Sequence, residues 1–480
     1  KRISKSKTKY KGVNTTYNMN KIERIREYID KEIPVIMEKT KTPGLSIAIV
    51  KGEEVIYADA FGSRDIEENK PATINTLYGF GSCTKSMTAL AIIQLMEKGK
   101  IDLEDPVNKY APIKIGRPDK PIRIKHLLSH SSGVPSLNTA VISLRKATGI
   151  KEIFIPMSSM EDFYRFINNA QEEVVADPGE RYFYLNAGYT ILGDIIEKLS
   201  GMEYHEYIKR NILTPLKMDR STFLKEDFEK DPDKITPYWK SRDGKPIKVR
   251  MPFDKLIHAA GGLISSVMEF SRYIIASMNN GRIGDIELAK PENIMEMQKI
   301  HIERPRTYYG REGYGYGWGI IEDFFERKLV AHSGSTGCST AYVAFIPMEK
   351  IGIVMASNTT GFPHTTIAHT ILALIMGRSI NEVPALKIQK KLDMLTGVYE
   401  GYGGVIRVNV VNKGGMLYIE QKDEFIDASM PLIPENDNLE DLRFYIWSNG
   451  VRQPVEFTIT RDGKIDLYME RNRLHKIRSL

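Results

Sequence analysis

A chain of 480 residues is longer than one hydrophobic core usually serves, so two or more domains are expected. Its 42% hydrophobic and 27% charged residues are those of a globular chain, and no apolar run approaches the roughly 20 residues that span a bilayer, so no membrane anchor is read. The net charge of +7 does not argue for nucleic acid as a partner, because much of the excess sits in the tail Lys1–Lys11, and two cysteines, Cys83 and Cys338, exclude a disulfide framework and read as small buried thiols.

Residues 1–19 form a basic tail with no apolar stretch behind its charges, so no signal peptide is read and the cytoplasm is the expected location. Asn20–Thr40 carries an apolar stripe at helical spacing (Ile22, Ile25, Ile29, Ile33, Ile36), with Pro34 as a kink site. Leu45–Val50 and Val55–Phe61, either side of Lys51-Gly-Glu, predict a hairpin. Gly79-Phe-Gly-Ser-Cys-Thr-Lys85 then opens a run in which Met87, Leu90, Ala91, Gln94, Leu95 and Met96 repeat at helical spacing up to a C-cap at Gly99. Ser129–Pro135 is rich in turn formers, Tyr189–Leu199 has one buried helical face, and Ala259–Ser266 is a glycine turn feeding a helix over Met268–Met278.

From Tyr314 the pattern changes to period two, predicting strands over Tyr314–Ile321, Lys328–Ser333, Thr340–Ile346 and Ile351–Ser357, closed by a helix over Thr365–Met376. Strands at both ends with helices between them predict an α+β domain over 20–378, one antiparallel sheet assembled from distant segments with a helical lobe inserted over about 80–330. A linker is expected over 379–392. Residues 393–480, with six to eight short alternating segments, predict a small antiparallel barrel or sandwich.

Three constellations carry chemistry. Ser82 and Lys85 share one helix face, so the lysine amine reaches the serine oxygen and can take its proton if burial depresses its pKa, while the helix start offers free backbone N–H groups to an oxyanion. The same spacing occurs at Ser4/Lys7, Ser6/Lys9 and Ser143/Lys146, where a solvated tail or a helix surface explains it. Tyr184-Leu-Asn186 places before a helix a phenol, whose pKa a neighbouring ammonium would lower, and an amide able to donate to a substrate carbonyl. His332-Ser-Gly334 lies on a strand entering a glycine turn, where Gly334 lets a ligand approach the backbone and the Ser335 N–H completes an oxyanion hole.

Ser82-x-x-Lys85, Tyr184-x-Asn186 and His332-x-Gly334, in this order, resemble the serine β-lactamase and penicillin-binding-protein superfamily, most nearly its class C β-lactamase, D-aminopeptidase and esterase branch. Leu127-Leu-Ser-His-Ser-Ser-Gly-Val-Pro, Leu213-Thr-Pro-Leu-Lys-Met and Tyr314-Gly-Tyr-Gly-Trp-Gly support the resemblance, which covers about residues 40–375. It implies a β-lactamase/transpeptidase-like fold with the site between sheet and helical lobe, and an acyl-enzyme on Ser82. Lys85 and Tyr184 would handle its proton, with the base left open between them. The backbone N–H groups of Ser82 and Ser335 would hold the oxyanion, and Asn186 and Gly334 would meet substrate.

His332 stands where β-lactamases and carboxypeptidases carry lysine, which moves the expected substrate away from β-lactams and suggests a general acid or proton shuttle. Leu395-Thr-Gly-Val-Tyr resembles the opening of the lipocalin-like barrels attached to some archaeal serine peptidases of this superfamily. The expected function is therefore a serine peptidase acting on amide bonds of small peptides, D-residues included, with no metal or cofactor and with homo-oligomerisation as an open expectation. An esterase or weak β-lactamase on the same site, and a catalytically silent ligand-binding protein, are the alternatives.

Overall fold

The computed structural model describes residues 19–148, 155–305, 308–422, 424 and 426–480; residues 1–18 of the basic tail, with Ser4/Lys7 and Ser6/Lys9, lie outside them, and Met19 opens the first helix. The chain divides into two compact units, Lys1–Gly377 and Arg378–Leu480.

The first unit is built on a nine-stranded antiparallel sheet. From one edge its strands are Ile302–Glu303, Glu312–Tyr314, Gly319–Ile321, Leu329–Ser335, Thr340–Ile346, Ile351–Ser357, Gly44–Lys51, Glu54–Asp65 and Lys70–Pro71. The N-terminal hairpin thus completes a sheet whose other strands come from the C-terminal third, with Leu45 opposite Ser357 and Lys51 opposite Ile351. The central strands are buried on both faces, which is why they read as apolar runs rather than alternating ones. Leu45, Ile47, Ile49, Ile353 and Met355 face the helices Met19–Thr40 and His364–Ile375. Ala48, Val50, Val343, Phe345 and Val354 face the opposite way, with Phe270, Tyr273 and Ile274 of the helix Val267–Met278. That helix starts on Ser266, whose Oγ accepts the Glu269 N–H at 3.1 Å.

Thr84–Glu97 runs through the middle of the helical lobe, with every residue from Thr84 to Leu95 buried. A helix apolar nearly all round needs partners all round, and Asn186–Ser200 and His258–Gly261 supply two of them. It ends where Gly99, at φ +67°, donates its N–H to Met96 O at 2.9 Å. The helix Met19–Thr40 continues through Pro34.

Two expectations are corrected. The single strand over Tyr314–Ile321 is a hairpin: Glu312–Tyr314 pairs with Gly319–Ile321, and the chain reverses at Gly317, which adopts φ +75°. A Cβ on Gly317 would lie 2.8 Å from Lys85 O, so the turn seats directly on the nucleophile helix. The linker expected over 379–392 is largely a helix, Pro384–Leu395, which starts with proline at its first position. Its Leu392 and Leu395 belong to the core of the second unit.

Among its described residues that unit carries nine strands: Gly397–Glu400, Arg407–Lys413, Met416–Lys422, Asp427–Pro431, Ile433–Pro434, Arg443–Ser448, Val451–Ile459, Ile465–Met469 and Asn472–Arg478. Asp427–Pro431 and Ile433–Pro434 are the two ends of the strand order, yet only Leu432 separates them in the chain. The sheet therefore wraps into a nearly closed antiparallel barrel around Tyr399, Val410, Ile419, Phe457, Leu467 and Leu474. Among the described residues of both units, no helix is long and apolar enough to cross a membrane.

Phe345 is fully buried with its ring edge-on to Trp318 at 5.3 Å, between the sheet and the lobe. Phe345→Ala is expected to cost about 3–5 kcal/mol, read as a lowered urea midpoint of the first unit.

Candidate active site

The site is assembled where three backbones meet without side chains between them. Gly81 starts the short turn Gly81–Cys83 at φ +51°, and a Cβ there would lie 2.4 Å from Ser335 N. A Cβ on Gly334 would lie 1.9 Å from Phe80 O and 2.9 Å from Ser82 N, and one on Gly261 would lie 3.2 Å from Gly81 C. Glycine is required at 81 and 334, and a side chain at 261 would be tight, because the strand Leu329–Ser335 and the turn after Ala260 press on the backbone that carries Ser82. The contact brings the Ser82 and Ser335 main chains side by side, the placement an oxyanion hole needs. Cys83, fully buried behind the serine, donates its thiol to His332 O at 3.4 Å and locks the same contact from below.

Ser82 keeps part of its surface open, whereas Lys85, one turn on, is completely buried. Lys85 Nζ lies 3.1 Å from Ser82 Oγ, 2.7 Å from Asn186 Oδ1 and 2.5 Å from Ala260 O. All three partners are uncharged oxygens, so no carboxylate stands against a buried ammonium, and desolvation, outweighing the opposing effect of Cys83, holds the Lys85 pKa well below its ordinary 10.5. In the neutral form its two N–H bonds serve Asn186 and Ala260, leaving the lone pair facing the Ser82 hydroxyl. Ser143 and Lys146, with the same spacing, do not make this arrangement: Lys146 Nζ donates to Met157 O at 3.3 Å. Ser143 is nevertheless buried, not on a helix surface as expected.

Tyr184 and Asn186 arrive as expected, the tyrosine half-buried beside Ser82 and the asparagine at the start of the helix Asn186–Ser200. Lys85 Nζ sits 4.9 Å from the Tyr184 ring centroid. The expected lowering of the Tyr184 pKa is reversed: burial pushes the phenol up, outweighing the hydrogen bond with Ser82 that pulls it down. Asn186 has its carbonyl oxygen committed to Lys85, which leaves its amide for substrate.

His332 is buried on its strand with both ring nitrogens engaged. Nδ1 donates to Ser333 O at 2.6 Å, so Nε2 is the acceptor and takes the Tyr314 hydroxyl at 2.8 Å. Burial, with Lys85 nearby, holds its pKa at about 3, so the ring is neutral. In the sequence Tyr314 stands out only as part of a glycine-rich stretch; its place beside His332 is set by the hairpin turn, which local periodicity does not encode.

Residues 29–375 match the Beta-lactamase family, and the chain belongs to it, a family of serine hydrolases working through an acyl-enzyme. Residues 380–475 match the Pab87 octamerisation domain. The octameric penicillin-binding protein homologue from Pyrococcus abyssi is 39% identical, with a TM-score of 0.87 over 95% of this chain and 100% of that one. Penicillin-binding protein 4* of Bacillus subtilis is 25% identical over 462 residues, covering 91% of this chain and 95% of its own. Protein flp of Staphylococcus aureus is 26% identical over 336 residues, and this chain spans 63% of its length.

Gly334→Ala forces the Ser335 strand off the Ser82 turn. It is expected to lower turnover by about 100-fold or more, with an unchanged circular dichroism spectrum.

Proposed function

We propose that this protein is a serine peptidase that hydrolyses amide bonds of small peptides, those with D-residues included, through an acyl-enzyme on Ser82. The observation that carries the reading is Lys85 Nζ, wholly buried, with only neutral partners and 3.1 Å from Ser82 Oγ. Lys85 is the base in this reading. Its proton affinity is tuned down towards working pH, whereas the Tyr184 phenol is tuned up and serves as the hydroxyl that relays the proton to the leaving amine. The N–H groups of Ser82 and Ser335 hold the oxyanion, the Asn186 amide takes the substrate carbonyl, and Gly334 leaves the strand open to the substrate backbone.

His332 takes part through the Tyr314 hydroxyl it accepts, shaping the cleft wall as a neutral group. A neutral imidazole holds a carboxylate poorly, which favours peptide amides over β-lactams. The second unit is proposed to assemble copies of this chain into a homo-oligomer, supported by the octamer described for the Pyrococcus relative and by the octamerisation-domain match.

Ser82→Ala is expected to abolish both turnover and labelling by an active-site phosphonate; retained turnover overturns the reading. Products are scored on a panel of L- and D-aminoacyl p-nitroanilides, p-nitrophenyl esters and nitrocefin, where cleavage of esters alone would favour an esterase. Because Lys85 must be neutral to accept a proton and its pKa is depressed, kcat/KM for acylation should rise with pH and level off well below pH 10.5. Lys85→Arg, which cannot deprotonate, should remove the activity at every pH. Light scattering on the intact protein is expected to give several times the single-chain mass, and a monomer would refute the assembly.

A further inference from the structure

His130 lies in the stretch Leu127-Leu-Ser-His-Ser-Ser-Gly-Val-Pro, and none of the chemistry above uses it. It is buried, 1% exposed, and holds a left-handed backbone at φ +59°, which a histidine adopts rarely. Two bonds tie it to the segment that delivers Tyr184. Its carbonyl accepts the Phe183 N–H at 2.8 Å, and its Nδ1 accepts the Leu185 N–H at 3.1 Å. The bonded residues flank Tyr184 on either side, and Asn186, the Lys85 partner, follows at once.

Because Nδ1 accepts, the ring proton sits on Nε2, and that N–H is buried with no hydrogen-bond partner. Around it stand aromatic rings: Tyr184 at 4.2 Å, Tyr314 at 4.7 Å and Tyr189 at 5.1 Å between centroids. The imidazole thus packs against both the tyrosine beside Ser82 and the tyrosine bonded to His332, which themselves meet edge to face at 6.3 Å. A buried donor without a hydrogen-bond partner and a strained backbone are both tolerated here, which marks the position as over-determined by its surroundings.

We propose that His130 is a positioning residue for the Ser82 reaction: its Nδ1 and carbonyl fix the Tyr184–Asn186 segment. The proposal rests on the peptidase reading above. It separates two contributions. The Nδ1 acceptor sets where Asn186 presents its oxygen to Lys85, and so acts on the chemical step, while substrate contacts further along the cleft are left alone. Burial, with Lys85 and His332 close by, keeps the ring neutral, which preserves the Nδ1 acceptor.

Two variants of the full-length protein test it. In His130→Asn the Oδ1 falls near the place of Nδ1, and asparagine tolerates the left-handed backbone, so the Leu185 N–H keeps an acceptor. In His130→Gln the polar group moves one carbon outward and that acceptor is lost. The expected result is a fall of about tenfold or more in kcat and in phosphonate-labelling rate for His130→Gln, with KM within about threefold, and recovery to within about threefold of the parent in His130→Asn. Wild-type labelling rates in His130→Gln overturn the proposal, as do equal losses in both variants. Failure of His130→Gln to fold, seen by circular dichroism, also overturns it, because the role is then structural. Ser82→Ala run alongside separates the two levels: turnover surviving in Ser82→Ala sinks the peptidase reading itself, whatever the His130 variants do.

Discussion

A lysine buried without a counter-charge is the constraint on which the site depends. Three neutral oxygens take up Lys85 Nζ and none carries a charge to set against an ammonium, so the fold lowers the proton affinity of the amine and favours its neutral form, whose lone pair is free to take a proton. The arrangement needs a helix enclosed over its whole circumference. Thr84–Glu97 is enclosed by helices packed against it and by the turn at Gly317 that seats on Lys85 O. Burial of one helix therefore supplies both the stability of the lobe and the chemistry at its N-terminal end.

The second requirement is close approach of main chains. Ser82, Asn186, Ala260 and Ser335 come from four parts of the chain that only the sheet and the lobe bring together. Glycine at 81, 261 and 334 removes the side chains that would hold those backbones apart. Cys83 then uses its small buried thiol to bind the carbonyl of His332, which explains a cysteine beside the nucleophile without giving it a reactive role. Its thiol pKa is pushed up by burial, consistent with packing rather than nucleophilic duty.

Much of the architecture was legible because its signals are local. The stripe in Asn20–Thr40, the apolar strands Thr340–Ile346 and Ile351–Ser357, and the helix after Ser266 each follow from periodicity and capping within one segment. The failures share a cause. Tyr314–Ile321 looks like one strand because glycines interrupt an aromatic run without a polar turn signal, and the reversal at Gly317 exists to fit the nucleophile helix. The region 379–392 looks like a linker because its helix has a small apolar stripe, and Leu392 and Leu395 find their partners only inside the barrel.

The sequence alone determined the chemistry available: a serine and a lysine one helical turn apart, a tyrosine and an asparagine before a second helix, and a histidine and a glycine on a late strand. Spacing along a helix is a covalent property, so the Ser82–Lys85 pairing needed no tertiary information. Only the tertiary structure decided the electrostatics, because desolvation depends on what surrounds a group from every direction. It depressed the Lys85 pKa, raised that of Tyr184 against the sequence expectation, and turned His332 into a neutral acceptor for Tyr314. It also placed His130, whose importance no local pattern announces, against the two tyrosines that line the site.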